Sequence, residues 1–154
     1  MPNNFKKEVR TIQTILKGSP WATAPEMNHV LDEYGRVVHS EKEKSREKRS
    51  ALQILFSSRA IDSLLAIIVR QDFAHRRLTP SDPFYTIGSS LNHLKNLGIS
   101  GGRRLDLRTY NDLDRNVLKK RNQYLHQAGQ FPSIDELHQF ISSTLNGIRV
   151  ILGL

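Results

Sequence analysis

Residues 51–69 read ALQILFSSRAIDSLLAIIV and form the most apolar stretch of the chain. Apolar side chains recur in this stretch at helical spacing, at Leu52, Leu55, Phe56, Leu64, Leu65, Ile67 and Ile68. A membrane span needs about 20 mostly apolar residues, whereas this stretch is interrupted by Gln53, Ser57, Ser58, Arg59 and Asp62. We therefore expect a buried helix at the centre of a helical bundle.

Helical periodicity extends outward from this stretch in both directions. Upstream, one apolar stripe comprises Phe5, Val9, Ile12 and Leu16, and a second comprises Met27, Val30, Leu31, Tyr34, Val37 and Val38. Residues 41–50 are nearly all charged with mixed signs, which is typical of a solvated helix or a helical connection. Downstream, we expect a short helix around residues 91–97 and a longer one over about residues 109–125. The stripe of a terminal helix comprises Leu137, Phe140, Ile141, Leu145, Ile148 and Leu152.

Helix-start signals and the lack of strand patterns complete the fold prediction. Residues 23–26 and 133–136 both have the form of a capping box, in which Ser or Thr is followed three residues later by Glu. No run shows the sustained alternation of a strand, and no internal repeat or interior linker stands out. The sequence therefore predicts an all-α, single-domain antiparallel bundle of four to five main helices over residues 1–154.

The chain is strongly basic. Its 23 Lys and Arg residues outnumber 15 Asp and Glu residues, which gives a formal net charge of +8 over 154 residues. A basic domain of this size commonly binds a polyanion, so a nucleic acid is the expected partner. The first residues, Met1-Pro2-Asn3-Asn4, lead directly into a charged segment and not into an apolar signal. We therefore expect a cytoplasmic protein that does not associate with membranes.

Several enzyme signatures are absent from the sequence. There is no phosphate-binding loop, no dinucleotide fingerprint, no His-Glu-x-x-His pair and no Gly-x-Ser-x-Gly elbow. The chain has no Cys, which excludes disulfides and thiolate zinc sites. Its six histidines are scattered, at His29, His39, His75, His93, His126 and His138. The sequence therefore predicts neither a metal nor a cofactor.

One short segment carries the functional prediction. Residues 119–129 read KKRNQYLHQAG, so that four residues separate Arg121 from His126. The same spacing recurs at Arg70 and His75, and spacing alone does not choose between the two pairs.

The segment 119–129 resembles the signature of the HEPN superfamily, small helical bundles from prokaryotic toxin and defence systems and some eukaryotic nucleases. In that signature an Arg is followed at once by a polar residue, often Asn, and then by a His after four to six intervening residues. The signature lies close to the start of the last long helix of the bundle. Here Asn122 occupies the polar position and a capped terminal helix is expected from Ser133. The resemblance therefore favours Arg121 and His126 over Arg70 and His75 as the active pair.

The resemblance implies a metal-independent endoribonuclease of the toxin or defence type. It implies RNA as substrate, a 2′,3′-cyclic phosphate product, no cofactor, and a homodimer in which two motifs share a cleft. An antitoxin protein is a further implied partner. In one branch of the family, paired with nucleotidyltransferase antitoxins, a modified Tyr stands two residues after the His. That position is Ala128 here, so control by this modification is not expected.

The chemistry of these side chains is suited to RNA cleavage. An imidazole, with an ordinary pKa of about 6.5, can remove the proton of a ribose 2′-hydroxyl, so His126 is assigned as general base and acid. The Arg121 guanidinium can hold the phosphate and oppose its developing charge, and Asn122 can orient the pair. Capture of RNA is assigned to Arg115, Lys119, Lys120 and Tyr124.

Two details of this assignment depend on geometry. Residues five apart are about 140° apart on an ideal helix, so Arg121 and His126 share a cleft only if the long Arg121 side chain reaches around the helix. We expect the helix to end before Gly129, which would help the two side chains to meet. Tyr124 has two interpretations, a base-stacking residue or a core tyrosine.

Three alternative functions remain open from the sequence. The first is a catalytically inactive HEPN-like module that binds RNA or a nucleotide. The second is a helical interaction protein in which Arg121 and His126 only cap or salt-bridge a helix end. The third is a DNA-binding helical protein, which is favoured by charge alone.

Overall fold

The chain folds into helices that pack on one another. A computed structural model describes residues 2–76, 87–99 and 104–154, and these residues contain no strand, so the all-α prediction is confirmed. The α-helices are α1 (Pro2–Lys17), α2 (Met27–His39), α3 (Arg46–Arg76), α4 (Ile87–Asn96), α5 (Leu107–Leu113), α6 (Lys119–His126) and α7 (Ile134–Leu152). A 3-10 turn, Ser40–Lys42, follows α2.

The helix predicted from residues 51–69 is the central one. It forms the middle of α3, which packs against α2, α4, α6 and α7. Its buried apolar side chains include Leu64, Leu65, Ile67 and Ile68. The first half of α3 differs from the prediction, because Gln53 and Ser57 are buried whereas Leu55 is exposed. Gln53 is accommodated because its amide donates a 2.6 Å hydrogen bond to Glu41.

The segment Arg46–His75 of α3 is long and apolar enough to cross a membrane, by length and composition alone. Within the bundle, 61% of its apolar window is buried. The core helix of a soluble protein meets the same criterion, so this feature favours neither a membrane nor a soluble location. A cytoplasmic location and the absence of membrane binding therefore stay predictions.

Residues 107–126 form one continuous helical rod, close to the helix predicted over about residues 109–125. Leu113 and Val117 are buried in it. The unpredicted feature is a π-helical segment, Asp114–Leu118, between α5 and α6. Backbone bonds in a π-helix span five residues instead of four, and short π segments often lie near functional sites. Counting the rod once, the described residues form six helices, compared with four to five main helices predicted.

Only one of the two predicted capping boxes is present. The hydroxyl of Ser133 accepts a 3.1 Å hydrogen bond from the backbone of Glu136, whose carboxylate accepts a 3.3 Å bond from the Ser133 backbone. The box predicted over residues 23–26 is wrong, because no side chain caps the start of α2. The chain enters α2 from a turn in which the Met27 N–H already bonds to the carbonyl of Ala24. A side-chain acceptor is therefore not needed there.

Gly147 allows α7 to approach the rod closely. A Cβ atom at this position would lie 2.9 Å from Cδ2 and 3.1 Å from Cδ1 of the buried Leu113. Overpacking of a core costs about 1–3 kcal/mol, which exceeds the roughly 1 kcal/mol that Ala gains over Gly in a helix. We expect Gly147→Ala to lower the free energy of unfolding by about 1 kcal/mol in urea titrations followed by circular dichroism.

Gly35, in α2, is the matched control for this substitution. A Cβ atom there would meet only Nε2 of Gln13, at 3.8 Å, which is an ordinary contact. We expect Gly35→Ala to raise the free energy of unfolding by about 0.5–1 kcal/mol. An equal rise in both variants would contradict tight packing of Gly147 against Leu113.

Candidate functional site

Arg121 is anchored on the central helix. Its Nη2 atom donates a 2.8 Å hydrogen bond to Oδ2 of Asp62, and the two side chains are 24% and 29% exposed. Asp62 is one of the polar residues that interrupt the apolar stretch of α3, so the ion pair joins α6 to the centre of the bundle. An Arg–carboxylate contact is directional, and Asp62 therefore fixes the orientation of the guanidinium.

Some hydrogen-bonding atoms of the Asp62–Arg121 ion pair lack partners. Asp62 Oδ1 and Arg121 Nε are buried and have no hydrogen-bond partner among the residues described. Burial raises the pKa of the Asp62 carboxyl, although the neighbouring Arg121 cation acts in the opposite direction. A partly buried pair in which two polar atoms lack partners stabilises a fold less than a fully hydrogen-bonded pair. The clearest effect of the Asp62–Arg121 pair is to position Arg121.

Asn122 connects Arg121 to the surroundings of His126. Its Oδ1 atom accepts a 3.0 Å hydrogen bond from Arg121 Nη1. Asn122 and His126 also line one open surface depression, which we call the amide depression because most of its residues carry side-chain amides. Its lining residues are Lys119, Asn122, Gln123, His126, Gln127 and Gln130. His126 is exposed there at the last residue of α6, so its imidazole is accessible to a ligand.

Among the described residues, Arg121 and His126 form no hydrogen bond with each other. Arg121 bonds to Asp62 and Asn122, whereas His126 has no side-chain hydrogen bond within the described residues. The Arg121 side chain extends towards α3 instead of reaching around the helix, because the Asp62 carboxylate holds it there. In a single chain the guanidinium and the imidazole therefore face different surroundings.

The cations assigned to RNA capture are mostly paired with carboxylates. Lys119 Nζ lies 3.4 Å from the Asp114 carboxylate, and Lys120 Nζ lies 2.9 Å from that of Glu136. Arg115 is exposed and has no ion-pair partner within the described part of the chain. Because Lys119 and Lys120 are already neutralised locally, this helix offers less free positive charge to a phosphate than the sequence predicts.

Tyr124 is half-buried and packs against the hydrophobic core. Its hydroxyl donates a hydrogen bond to the Glu136 carboxylate, and burial together with this bond raises the pKa of Tyr124 to about 12. The Tyr124 hydroxyl, with help from Lys120, lowers the pKa of Glu136 to about 2. Glu136 therefore holds α6 to the start of α7 through two side chains while it also completes the capping box.

The charge of Glu136 predicts a specific pH dependence of stability. Its pKa falls from 4.5 to about 2 on folding, so the ionised group stabilises the fold above pH 4.5 and this contribution is lost as the pH falls towards 2. Glu136→Gln removes the charge but preserves a capping box. Over this window we expect the wild-type free energy of unfolding to fall by about 1 kcal/mol more than that of the variant, in denaturant titrations at fixed pH.

Tyr124→Phe provides the control for this pH experiment. It removes the hydroxyl that contributes most to the low pKa of Glu136. We expect its loss of stability in acid to be smaller than that of the wild type. Parallel pH profiles for wild type and Glu136→Gln would show that the Glu136 charge does not stabilise the fold.

The alternative pair, Arg70 and His75, lies on α3 in a different environment. Arg70 Nη1 forms a 2.6 Å ion pair with Glu26, and its Nε bonds to the carbonyl of Ala66. Arg70 thus ties the start of α2 to α3. His75 is exposed and shares no hydrogen bond with Arg70. These contacts give Arg70 a structural role.

Across residues 2–76, 87–99 and 104–154, no three His, Asp or Glu side chains come together as a metal site. A buried pair joins α3 to α4, where His93 Nε2 lies 2.5 Å from Asp72 Oδ2. The His93 ring also packs on Phe73, with ring centroids 4.7 Å apart. Both members are buried, and the pair connects the two helices.

The sequence pattern does not assign two residues of the site, Asp62 and Glu136. It shows Asp62 only as an interruption of an apolar stretch, although a lone carboxylate in such a stretch is itself a signal for a buried cationic partner. It shows Glu136 only as part of a capping box. Nothing in the sequence pairs either residue with α6, because these contacts link positions far apart along the chain.

Comparisons with family models, curated proteins and solved structures found no match to this chain.

Proposed function

We propose that the chain is a metal-independent endoribonuclease of the toxin or defence type, with His126 as general base and acid and Arg121 as the phosphate-binding group. The proposal combines the resemblance of residues 119–129 to the HEPN signature with one structural observation. Asn122 accepts a hydrogen bond from Arg121 and lines the amide depression together with His126. A series of contacts therefore runs from Asp62 through Arg121 and Asn122 to the surroundings of His126.

The chemistry requires only these side chains and RNA. Neutral His126 takes the proton of a ribose 2′-hydroxyl, and the 2′-oxygen forms a bond to the adjacent phosphorus. The bond from phosphorus to the 5′-oxygen breaks, and the leaving oxygen takes a proton from the imidazolium. The Arg121 guanidinium has donors beyond its bonds to Asp62 and Asn122, and these oppose the charge that develops on the phosphate. The products are a 2′,3′-cyclic phosphate and a 5′-hydroxyl.

A homodimer would complete this site. The guanidinium and imidazole of one chain face different surroundings, so a phosphate between two copies could contact Arg121 of one and His126 of the other. Two exposed apolar side chains follow the last residue of the amide depression: Phe131, 42% exposed, and Ile134, 54% exposed. These two side chains are the candidate contact of the proposed dimer.

The direct test is incubation of the purified protein with single-stranded RNA in EDTA. We expect cleavage, with a product whose mass is lower by one water than that of the linear 3′-phosphate. Light scattering coupled to gel filtration is expected to give twice the mass of one chain. RNA that is retained in a salt-sensitive manner but never cut would contradict the nuclease proposal.

The second candidate function is an RNA- or nucleotide-binding module without catalysis. Its supporting observation is that Arg121 is bonded to Asp62 and, among the described residues, not to His126, together with the carboxylates that neutralise Lys119 and Lys120. A catalytic site needs its groups to converge on one phosphate, whereas a binding surface does not. Retention of intact RNA by both the wild type and His126→Ala would favour this function.

A further inference from the structure

Helix α1 carries a one-sided basic stripe. Four of its five charged residues are cations, Lys6, Lys7, Arg10 and Lys17, and all four are exposed. At about 100° per residue, they fall within about 100° of the helix circumference. We call this surface the α1 stripe.

Among the described residues, no carboxylate neutralises the α1 stripe. None of its four cations forms an ion pair in the part of the chain that the structure describes. Glu8, the one acidic residue of α1, faces α7, where it accepts a 3.0 Å hydrogen bond from Ser142 and lies 3.1 Å from His138. By contrast, each of the three consecutive cations at positions 119–121 is paired with a carboxylate. The α1 stripe is therefore the more available of these two basic surfaces.

Repulsion between the cations of the α1 stripe destabilises helix α1. Lys6 and Arg10 are one turn apart, and like charges at this spacing repel and destabilise a helix. A shallow surface depression runs along the stripe, lined by Lys6, Lys7, Arg10, Thr11, Thr14 and Ile15. A bound polyanion would replace this repulsion with attraction and release counterions.

The other face of α1 decides between two kinds of polyanion. Its apolar residues Phe5, Val9, Ile12 and Leu16 are buried in the core. An amphipathic helix that inserts into a membrane places its apolar face between the lipids, and the apolar face of α1 is already buried in the bundle. A nucleic-acid backbone needs only exposed cations, which the α1 stripe supplies.

We propose that the α1 stripe binds the phosphodiester backbone of a nucleic-acid strand, independently of its base sequence. This surface is distinct from Arg121 and His126 and goes beyond the proposed cleavage reaction. Binding by it does not require that the protein cut RNA. A strand held along α1 would contact up to four cations.

The test measures the salt dependence of binding to a fluorescent 2′-O-methyl RNA oligonucleotide, which lacks the free 2′-hydroxyl and is not cleaved. In the full-length variant Lys6→Gln, Lys7→Gln, Arg10→Gln and Lys17→Gln, four phosphate contacts are lost. The slope of log K against log salt should become less negative by roughly 3, at about 0.7 per contact, and affinity in 0.1 M salt should fall roughly 100-fold. If the fourfold variant does not fold, the double variant Lys6→Gln and Arg10→Gln should change the slope by about half as much.

A matched control changes the same charge elsewhere on the surface. Lys42→Gln, Lys44→Gln, Arg46→Gln and Lys48→Gln also remove four exposed cations, from the segment in which cations alternate with glutamates. For this control variant, the slope of log K against log salt should stay within about 1 of the wild-type value. Equal slope changes in the two fourfold variants would overturn the proposal, because binding would then depend on the net charge of the protein and not on the α1 stripe.

Three further ligands complete the experiment. Single-stranded and duplex DNA oligonucleotides of the same sequence show which nucleic acid the α1 stripe prefers, and stripe-dependent binding to either one supports the proposal. Phosphatidylserine vesicles test the membrane alternative. Stripe-dependent binding to vesicles without stripe-dependent binding to any oligonucleotide would overturn the proposal.

Discussion

His126→Ala is expected to lower the initial rate of RNA cleavage at least about 100-fold, since general acid–base catalysis contributes about 10²–10⁴-fold. The imidazole is exposed and has no side-chain partner within the described residues, so its removal should leave the thermal unfolding midpoint unchanged. Cleavage of end-labelled single-stranded RNA in EDTA, with thermal unfolding followed by circular dichroism, measures both quantities.

His75→Ala is the matched control for this experiment, because His75 is the other exposed histidine that follows an Arg at the same spacing. It should retain wild-type activity. Full activity in His126→Ala would remove His126 from the mechanism. Loss of activity in His75→Ala instead would move the site to the pair on α3.

Arg121→Ala is expected to have the second large effect. Loss of one donor that stabilises charge in a transition state typically lowers kcat about 10²–10³-fold, and we expect a decrease in this range. Arg121→Lys keeps the positive charge but not the planar fork of donors that contacts both Asp62 and Asn122. We therefore expect it to recover only part of the activity, which steady-state kinetics of all three proteins would show.

Asp62→Asn tests whether Asp62 acts through Arg121. Asp62 holds the guanidinium and is a positioning residue, so its substitution should lower kcat more than it changes KM. In the Arg121→Ala background the same substitution should have no further effect on kcat, because the group that it positions is gone. Full activity in Arg121→Ala would contradict a phosphate-binding role for Arg121. Additive losses in the double variant would contradict positioning by Asp62.

The fold was predictable where the sequence pattern is strong and local. The terminal helix α7 has a continuous apolar stripe and a capping box between Ser133 and Glu136, and both are present as expected. In the first half of α3 the prediction failed at Leu55, because periodicity alone does not show which polar residues find partners in the core. Gln53 is buried because of its bond to Glu41, a contact between residues 12 apart in the chain.

The candidate site was predictable only in part. The short motif assigned Arg121, Asn122 and His126, and the structure links the first two directly through a hydrogen bond. The partner of Arg121 was not predictable, because Asp62 is 59 residues away and a single sequence does not reveal tertiary contacts. The pairing of Lys120 with Glu136 was missed for the same reason. Residue type indicated positive charge, but only the fold showed which cations are already neutralised.

The π-helical segment Asp114–Leu118 has a consequence for how this chain tolerates changes of length. A π turn takes up one more residue than an α turn, so the segment sets the rotational phase of everything that follows it. Deleting one residue there would convert the π turn into an α turn, so the phase of α6 and the contact of Arg121 with Asp62 should be nearly unchanged. Deleting one residue from an α-helical part of the rod would instead turn the residues that follow by about 100° and carry Arg121 away from Asp62. The π segment is therefore the place where the rod can lose one residue without losing the site.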